Sequence, residues 1–255
     1  MRRSSPQSTI LDPGNLLAVI LTCWCSCLSA QGPNFADSTT LEMIVVSSKG
    51  DVEGVRKLLR QGMDIESTDV VGNTPLIFAA RYGRNDEVRF LIGRGADVNA
   101  RSRTGGTPLR EAVNKMDEVT VRLLLDAGAK VDIKDVDGET ATFYAVRRGF
   151  LSGLEMLLAH GADPNVTNNR GDTLLIYAVR QAVPWAGHWP MIISTLILNG
   201  ADPGIVNHNR ESAVCLAKQY RKSAIEMLLL AYDANENSCQ TIAKELTSTI
   251  RINLN

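Results

Sequence analysis

The chain has 255 residues, of which 44% are hydrophobic and 5% aromatic, and its formal net charge is −1. This composition is typical of a folded protein and argues against a collagen-like or disordered chain. The near-neutral charge excludes a strong global field that would attract nucleic acid, so we expect no nucleic-acid partner.

The first predicted element is an apolar stretch over residues 16–28, which follows two N-terminal arginines. Thirteen residues are too few to span a bilayer but suit the core of a secretory signal. Ser29 and Ala30 supply small residues at a cleavage point. The sequence therefore predicts a signal peptide at 1–30 and a linker at 31–40.

Two alternatives for the N-terminal segment stay open. It contains three cysteines, which allows a lipoprotein-type leader, although the residues before Cys23 and Cys27 fit such a cleavage poorly. An internal start at Met43 would give a cytosolic form. We expect a periplasmic or extracellular protein that contacts a membrane only through its leader, with a cytoplasmic location as the alternative.

Beyond the linker, a period of 33 residues organises the chain. The period joins four threonines and four glycines, namely Thr74, Thr107, Thr140 and Thr173, and Gly62, Gly95, Gly128 and Gly161. A fixed period of this length is typical of a solenoid, in which each unit buries its apolar face against its neighbours. The period therefore predicts an all-α solenoid and favours a binding role over a catalytic one.

Each period contains the signals of a helix pair. Thr74 is placed to cap the first helix, and Pro75 suits its first turn. Ala79 is small enough to let neighbouring helices approach closely. Leu91 belongs to the apolar stripe of the second helix, and Gly95 suits the left-handed residue that ends it.

The segment 72–83 reads Gly-Asn-Thr-Pro-Leu-Ile-Phe-Ala-Ala-Arg-Tyr-Gly and is followed by Gly-Ala-Asp at 95–97. This pattern resembles the consensus ankyrin repeat, and the resemblance covers about residues 41–235. It implies an ankyrin-repeat solenoid of stacked helix pairs with projecting β-turns. It also implies a protein-binding role without enzymatic activity or a cofactor.

The period divides the chain into about six units and a C-terminal cap. The first unit lacks the Thr-Pro pair and is interpreted as a capping unit, and the fifth contains a six-residue insertion. The predicted units are 41–69, 70–102, 103–135, 136–168, 169–207 and 208–235, and 236–255 is predicted to form a capping helix.

In the ankyrin fold the first helix of each unit faces the concave side, so equivalent outward positions form rows. Tyr and Arg dominate interface hot spots, which makes these rows candidates for partner binding; the alternative is a solvated helix face. The rows are Phe78, Glu111, Tyr144 and Tyr177; Arg81, Asn114, Arg147 and Arg180; and Tyr82, Lys115, Arg148 and Gln181.

These rows predict one protein partner with an acidic or mixed surface, bound as a 1:1 heterodimer. Reversing the charges of Arg147 and Arg180 is expected to abolish capture of this partner and to leave the melting temperature nearly unchanged.

The insertion around 183–190 is a second candidate site, because it places Trp185 and Trp189 in a loop on a rigid scaffold. Alternatively, these tryptophans fold back over neighbouring helices.

The remaining motifs do not indicate catalysis. No metal-ligand spacing, phosphate-binding loop or paired-carboxylate pocket is visible, so we predict no catalytic or metal-binding residue. Within the repeats only Cys215, together with Cys239 in the cap, could form a disulfide in an oxidising compartment, and the sequence leaves this pairing open.

An exported ankyrin solenoid is most similar to bacterial periplasmic ankyrin proteins, some of which are immunity proteins. This resemblance implies a protein that neutralises a secreted effector of the type VI kind, such as a lipase or phospholipase. A general periplasmic or cytosolic scaffold and a host-directed effector are the alternatives.

Overall fold

The computed structural model describes residues 38–182 and 189–231. The leader, Trp185, Cys239 and the predicted cap at 236–255 lie outside these ranges. The described residues form twelve helices: α1 Ser38–Lys49, α2 Val52–Arg60, α3 Pro75–Tyr82, α4 Asn85–Gly93, α5 Pro108–Lys115, α6 Glu118–Asp126, α7 Ala141–Arg148, α8 Leu151–Ala159, α9 Leu174–Gln181, α10 Trp189–Leu198, α11 Ala213–Gln219 and α12 Ser223–Ala231.

The predicted all-α solenoid is confirmed. The helices of residues 38–182 and 189–231 form six consecutive pairs, and only an isolated bridge between Thr167 and Thr173 has β character there. The first helix begins at Ser38, inside the segment predicted to be a linker. In the same part of the chain, none of the helices combines the length and the hydropathy needed to cross a membrane.

Hydroxyl residues directly before the first helices cap them in four units. The side-chain oxygen of Thr74 accepts a hydrogen bond from the N–H of Ile77, and Thr107, Thr173 and Ser212 do the same in their own units. Such caps satisfy a backbone donor that the helix leaves without a partner. Thr140 departs from this pattern, because its hydroxyl instead bonds to that of Thr142.

The turns between units are built by a second repeated device. A side-chain oxygen of Asp69, Asp135, Asn168 and Asn207 accepts the backbone N–H groups two and four residues later. At the turn tips, backbone N–H groups donate to the preceding unit over 2.8–3.2 Å, from Arg103 to Val71, Val136 to Thr104, Asn169 to Asp137, and His208 to Arg170. These bonds fix the turns in register along the stack.

The apolar core runs between the helix pairs. First helices contact the first helices of neighbouring units, and second helices do the same, so units two to five are each covered on both sides by their neighbours. Ala79 and Ala80 are fully buried. They belong to α3, which packs against α1 and α5, and their small size lets these helices approach closely. Large side chains such as Leu91, Leu124 and Phe143 fill the space between the two layers.

Met116 occupies a backbone conformation that suits glycine. Its φ is 64°, and the residues at the same place in the neighbouring units are Gly83 and Gly149, with φ of 66° and 67°. Because a side chain is disfavoured in the left-handed region, we expect Met116→Gly to raise the free energy of unfolding by about 0.5–1 kcal/mol. Urea unfolding measures this gain.

Met116→Ala is the control for this substitution. It removes the same 44%-exposed side chain but keeps the Cβ atom. Its stability should remain close to that of the wild type, and an equal gain in both variants would contradict the backbone explanation.

Candidate functional site

The first predicted row is more buried than the sequence suggests. Phe78 and Glu111 are only 9% and 6% exposed, whereas Tyr144 and Tyr177 are half-buried. The expectation that the whole row points outward is therefore wrong for its first two members. Phe78 stacks on Tyr82 with ring centroids 6.3 Å apart and is covered by the guanidinium of Arg81.

Arg81 joins the second unit to the third. Its Nη2 donates to Oδ1 of Asn73 and its Nε donates to Oε2 of Glu111, both over 3.1 Å. Burial alone would raise the pKa of Glu111, but hydrogen bonds from Arg81 and Arg110 and the charges of both lower it below its ordinary value. Glu111 is therefore held as a carboxylate between two arginines.

Arg147 and Arg180 repeat this arrangement in later units. Arg147 pairs with Glu139 in its own turn and donates to the hydroxyl of Tyr177 over 2.8 Å. Arg180 pairs with Asp172 in its own turn and with Glu211 in the next unit. In each case the arginine holds its own turn and the following unit together.

These pairs change the expectation for charge reversal at Arg147 and Arg180. The sequence-based prediction of a nearly unchanged melting temperature requires arginines that face only solvent or a partner. Their carboxylate partners Glu139 and Asp172 are buried, and a buried carboxylate that loses its cation destabilises the fold. Loss of binding in such a variant would therefore not identify a contact residue.

The third unit uses a different arginine. Asn114 occupies the position that an arginine has in the second row of the other units, and it is exposed. Gly106 occupies the position of Glu139 and Asp172. Arg110 occupies that space, because a Cβ atom on Gly106 would lie 2.4 Å from its Nη2. Arg110 donates to Oε1 of Glu111 over 2.7 Å and to Oδ2 of Asp135 over 3.2 Å.

Tyr144 continues the contacts of Arg110. Its hydroxyl donates to Oδ2 of Asp135 over 2.8 Å, and the guanidinium carbons of Arg110 and Arg147 lie 5.1 and 4.7 Å from its ring centroid. Burial and the hydrogen bond to Asp135 raise the pKa of Tyr144 to about 12, so the phenol stays protonated and donates.

We call these side chains the inter-unit polar network. The sequence prediction identified its row members but missed the residues that neutralise them. One signal was present, since an acid or amide precedes each row arginine by eight residues. The network consists of Asn73, Arg81, Arg110, Glu111, Asp135, Glu139, Tyr144, Arg147, Asp172, Tyr177, Arg180, Asn207 and Glu211.

The third predicted row lies outside the network. Tyr82 is 46% exposed, and Lys115, Arg148 and Gln181 are also exposed. The side chains of Lys115 and Arg148 form no hydrogen bond or ion pair with the described residues. These two cations are therefore available to a ligand, in contrast to the arginines of the second row.

The turn tips add two cations of the same kind. The side chains of Arg103 and Arg170 are exposed and likewise have no ionic or hydrogen-bonded partner among residues 38–182 and 189–231. We call one side of units three to five the first-helix face. It carries the turn tips and the members of the three predicted rows that belong to these units. Asp137 is the exposed carboxylate at its tips.

The second predicted site is only partly described. Trp189 begins α10, is 6% exposed and belongs to the apolar core. Of the two alternatives for this tryptophan, the structure supports packing over neighbouring helices. Trp185 lies outside the described residues, so its role stays a prediction.

The described residues also bear on metal binding. Within residues 38–182 and 189–231, no group of three or more His, Cys, Asp or Glu side chains is placed to hold a metal ion. The buried carboxylates of the first-helix face, Glu111, Asp135, Glu139 and Asp172, are instead paired with arginines.

Comparison with known proteins identifies the fold family. The family model for ankyrin repeats in three copies matches residues 43–135 and 120–191, which is more than half of the chain. The chain belongs to the ankyrin repeat family. Ankyrin repeats form protein-interaction scaffolds in general, so the chain is a protein-binding module by family. A search of curated proteins gives no match.

Solved ankyrin structures agree with this assignment. The chain is similar to an ankyrin repeat domain from Acinetobacter baumannii AYE, with a TM-score of 0.71, 27% identity, and coverage of 76% of this chain and 98% of that one. It is also similar to the ankyrin repeat protein EF0377, with a TM-score of 0.69, 24% identity, and coverage of 74% and 96%. The second likeness concerns the fold alone.

Proposed function

We propose that this ankyrin protein captures one protein partner on its first-helix face, in a 1:1 complex, without catalysing a reaction. The observation that carries the proposal is the contrast between the cations of the second row and those of the third. The arginines of the second row are fixed within the inter-unit polar network, while Lys115 and Arg148 in the third row are exposed and have no ionic partner among the described residues. A rigid base with exposed anchors is well suited to binding, because little order is lost on association.

We further propose that the protein acts in the periplasm or outside the cell. The apolar stretch at 16–28 supports export, because its length suits a secretory signal. A second support is that Cys215 is disulfide-bonded, since disulfides persist in oxidising compartments. Its pairing with Cys239 stays a prediction, because Cys239 lies outside the described residues.

The most specific form of this proposal is an immunity role. The partner would be a secreted lipase or phospholipase effector, which the bound ankyrin protein would hold inactive. The combination of the predicted export signal with a partner-binding solenoid supports this role. A general scaffold would bind its partner without protecting the cell, and a host-directed effector would leave the producing cell.

Fractionation and co-purification test the proposal together. A C-terminally tagged full chain, expressed in its native cell, should appear in the periplasmic or extracellular fraction and retain one protein at equal stoichiometry in native mass spectrometry. Deletion of the gene should then sensitise the cell to attack by sibling cells. Recovery of the tagged chain only from the cytosol would contradict export, and recovery without any bound protein would contradict the binding role.

A further inference from the structure

We infer that the partner presents an acidic segment whose carboxylates recur about every 10 Å and contact Lys115, Arg148, Arg103 and Arg170. This inference rests on the proposed function and specifies the chemistry of the partner. It is more specific than a general affinity for acidic proteins. It gives the distance between the carboxylates of the partner, and it leaves Arg81, Arg147 and Arg180 out of the contact.

The available cations follow from the ion pairs within the chain. Arg81, Arg147 and Arg180 each meet a carboxylate of the chain itself. A partner carboxylate would have to displace these buried or half-buried acids. Lys115 and Arg148 require no such displacement, because their side chains have no ionic partner among the described residues.

The spacing follows from the repeat. Lys115 and Arg148 occupy the same position in consecutive units, and adjacent packed helices lie about 8–10 Å apart. Arg103 and Arg170 occupy the turn tips of units three and five, so their separation corresponds to two such steps. Along the first-helix face, Lys115 and Arg148 are therefore one unit apart, and Arg103 and Arg170 are two units apart.

Two simple protein segments present carboxylates at this interval. An extended polyproline-type segment repeats its face every three residues, or about 9 Å. An α-helix returns to nearly the same face after seven residues, or about 10.5 Å. Duplex DNA carries one charge per about 1.7 Å. Single-stranded nucleic acid stacks its bases on aromatic side chains, but Tyr144 and Tyr177 of this face are half-buried and held by Asp135 and Arg147. The one-unit step between Lys115 and Arg148 therefore favours an acidic protein segment.

Defined peptides test this spacing. Fluorescence anisotropy at low salt would compare the purified full chain with two spaced peptides, one with Glu at every third residue and one helical with Glu at every seventh. Each has an isomer with the same composition and its Glu residues in one block. We expect at least one spaced peptide to bind several-fold more tightly than its block isomer, and more tightly than an oligothymidine of equal length.

Charge reversal assigns the binding to these cations. Lys115→Glu combined with Arg148→Glu should weaken binding of the spaced peptide at least tenfold. Arg89→Glu combined with Arg122→Glu is the matched control, because both arginines are exposed at equivalent positions of the second helices α4 and α6. The control should change affinity less than twofold, and both variants should retain the wild-type melting temperature.

The outcomes separate this inference from the proposed function. Equal binding of spaced and block peptides, equal losses in the two charge-reversed variants, or tighter binding of the oligonucleotide would overturn the inference. The proposed function would survive these results if the native chain still retained one protein at equal stoichiometry. Capture of that protein by the Lys115 and Arg148 variant as well as by the wild type would also overturn the inference.

Discussion

Replacing Arg110 by methionine is expected to lower the free energy of unfolding by about 3 kcal/mol. Arg110 is the cation shared by Glu111 and Asp135, whose side chains are 7% and 1% exposed. Methionine keeps the length of the side chain but removes its charge. Both carboxylates would lose a hydrogen-bonded ion pair while they stay buried, and this loss is the origin of the expected effect.

Urea unfolding of three variants measures this effect and its origin. Arg110→Met combined with Glu111→Met should recover part of the loss, because an apolar pair removes one of the stranded charges. Arg122→Met, at an exposed position of α6, should stay within about 0.5 kcal/mol of the wild type. A single Arg110 variant as stable as the Arg122 control would contradict a stabilising role for the ion pairs of Arg110.

The second large effect concerns Glu87 in α4. Its side chain is fully buried, and no hydrogen bond of ordinary geometry joins either carboxylate oxygen to the described residues, although the Ser47 hydroxyl is close enough to interact with it. Burial raises the pKa of Glu87 from 4.5 to about 7, although the Ser47 hydroxyl and the charge of Arg84 lower it and the charge of Asp51 raises it further. Between these pH values the folded chain therefore holds a proton that the unfolded chain releases.

The sign of the pH dependence follows from this difference. The stabilisation from protonated Glu87 is fully present below pH 4.5 and is lost as the pH rises through about 7. Stability should therefore fall by about 3 kcal/mol from this group between pH 5 and pH 8. Urea unfolding across this range measures the fall.

Glu87→Gln isolates the contribution of this carboxyl. The amide cannot titrate, so the variant should lose this part of the pH dependence and exceed the wild type in stability at pH 8. Asp86→Asn alters the neighbouring exposed carboxylate and should leave the pH profile as it is in the wild type. Parallel profiles for the wild type and Glu87→Gln would contradict the assignment.

The sequence predicted the helices well because each signal is local. Thr74 caps a helix and Pro75 begins it through contacts within one turn. The 33-residue period then predicts helix starts at the equivalent positions of the following units. The position of each row was predictable for the same reason, since equivalent residues of stacked units must lie side by side. The departure at Thr140 was less visible, because it depends on the neighbouring hydroxyl of Thr142.

The exposure of the rows was harder to predict because it depends on residues far along the chain. Arg81 finds one partner eight residues before it and another thirty residues after it. A search of the sequence for an acid eight residues before each arginine of the second row would have found Glu139 and Asp172. It would not have found Arg110, which fills the space left by Gly106 only in the folded structure.

The most direct test of the account is hydrogen–deuterium exchange of the full chain with and without the protein that co-purifies with it. Binding on the first-helix face predicts slower exchange in the complex at the turn tips around 103–104 and 169–170 and at the ends of α5 and α7. The second helices α4, α6 and α8 should exchange as in the unbound chain. Protection confined to those second helices, with unchanged exchange at the turn tips, would contradict binding on the first-helix face.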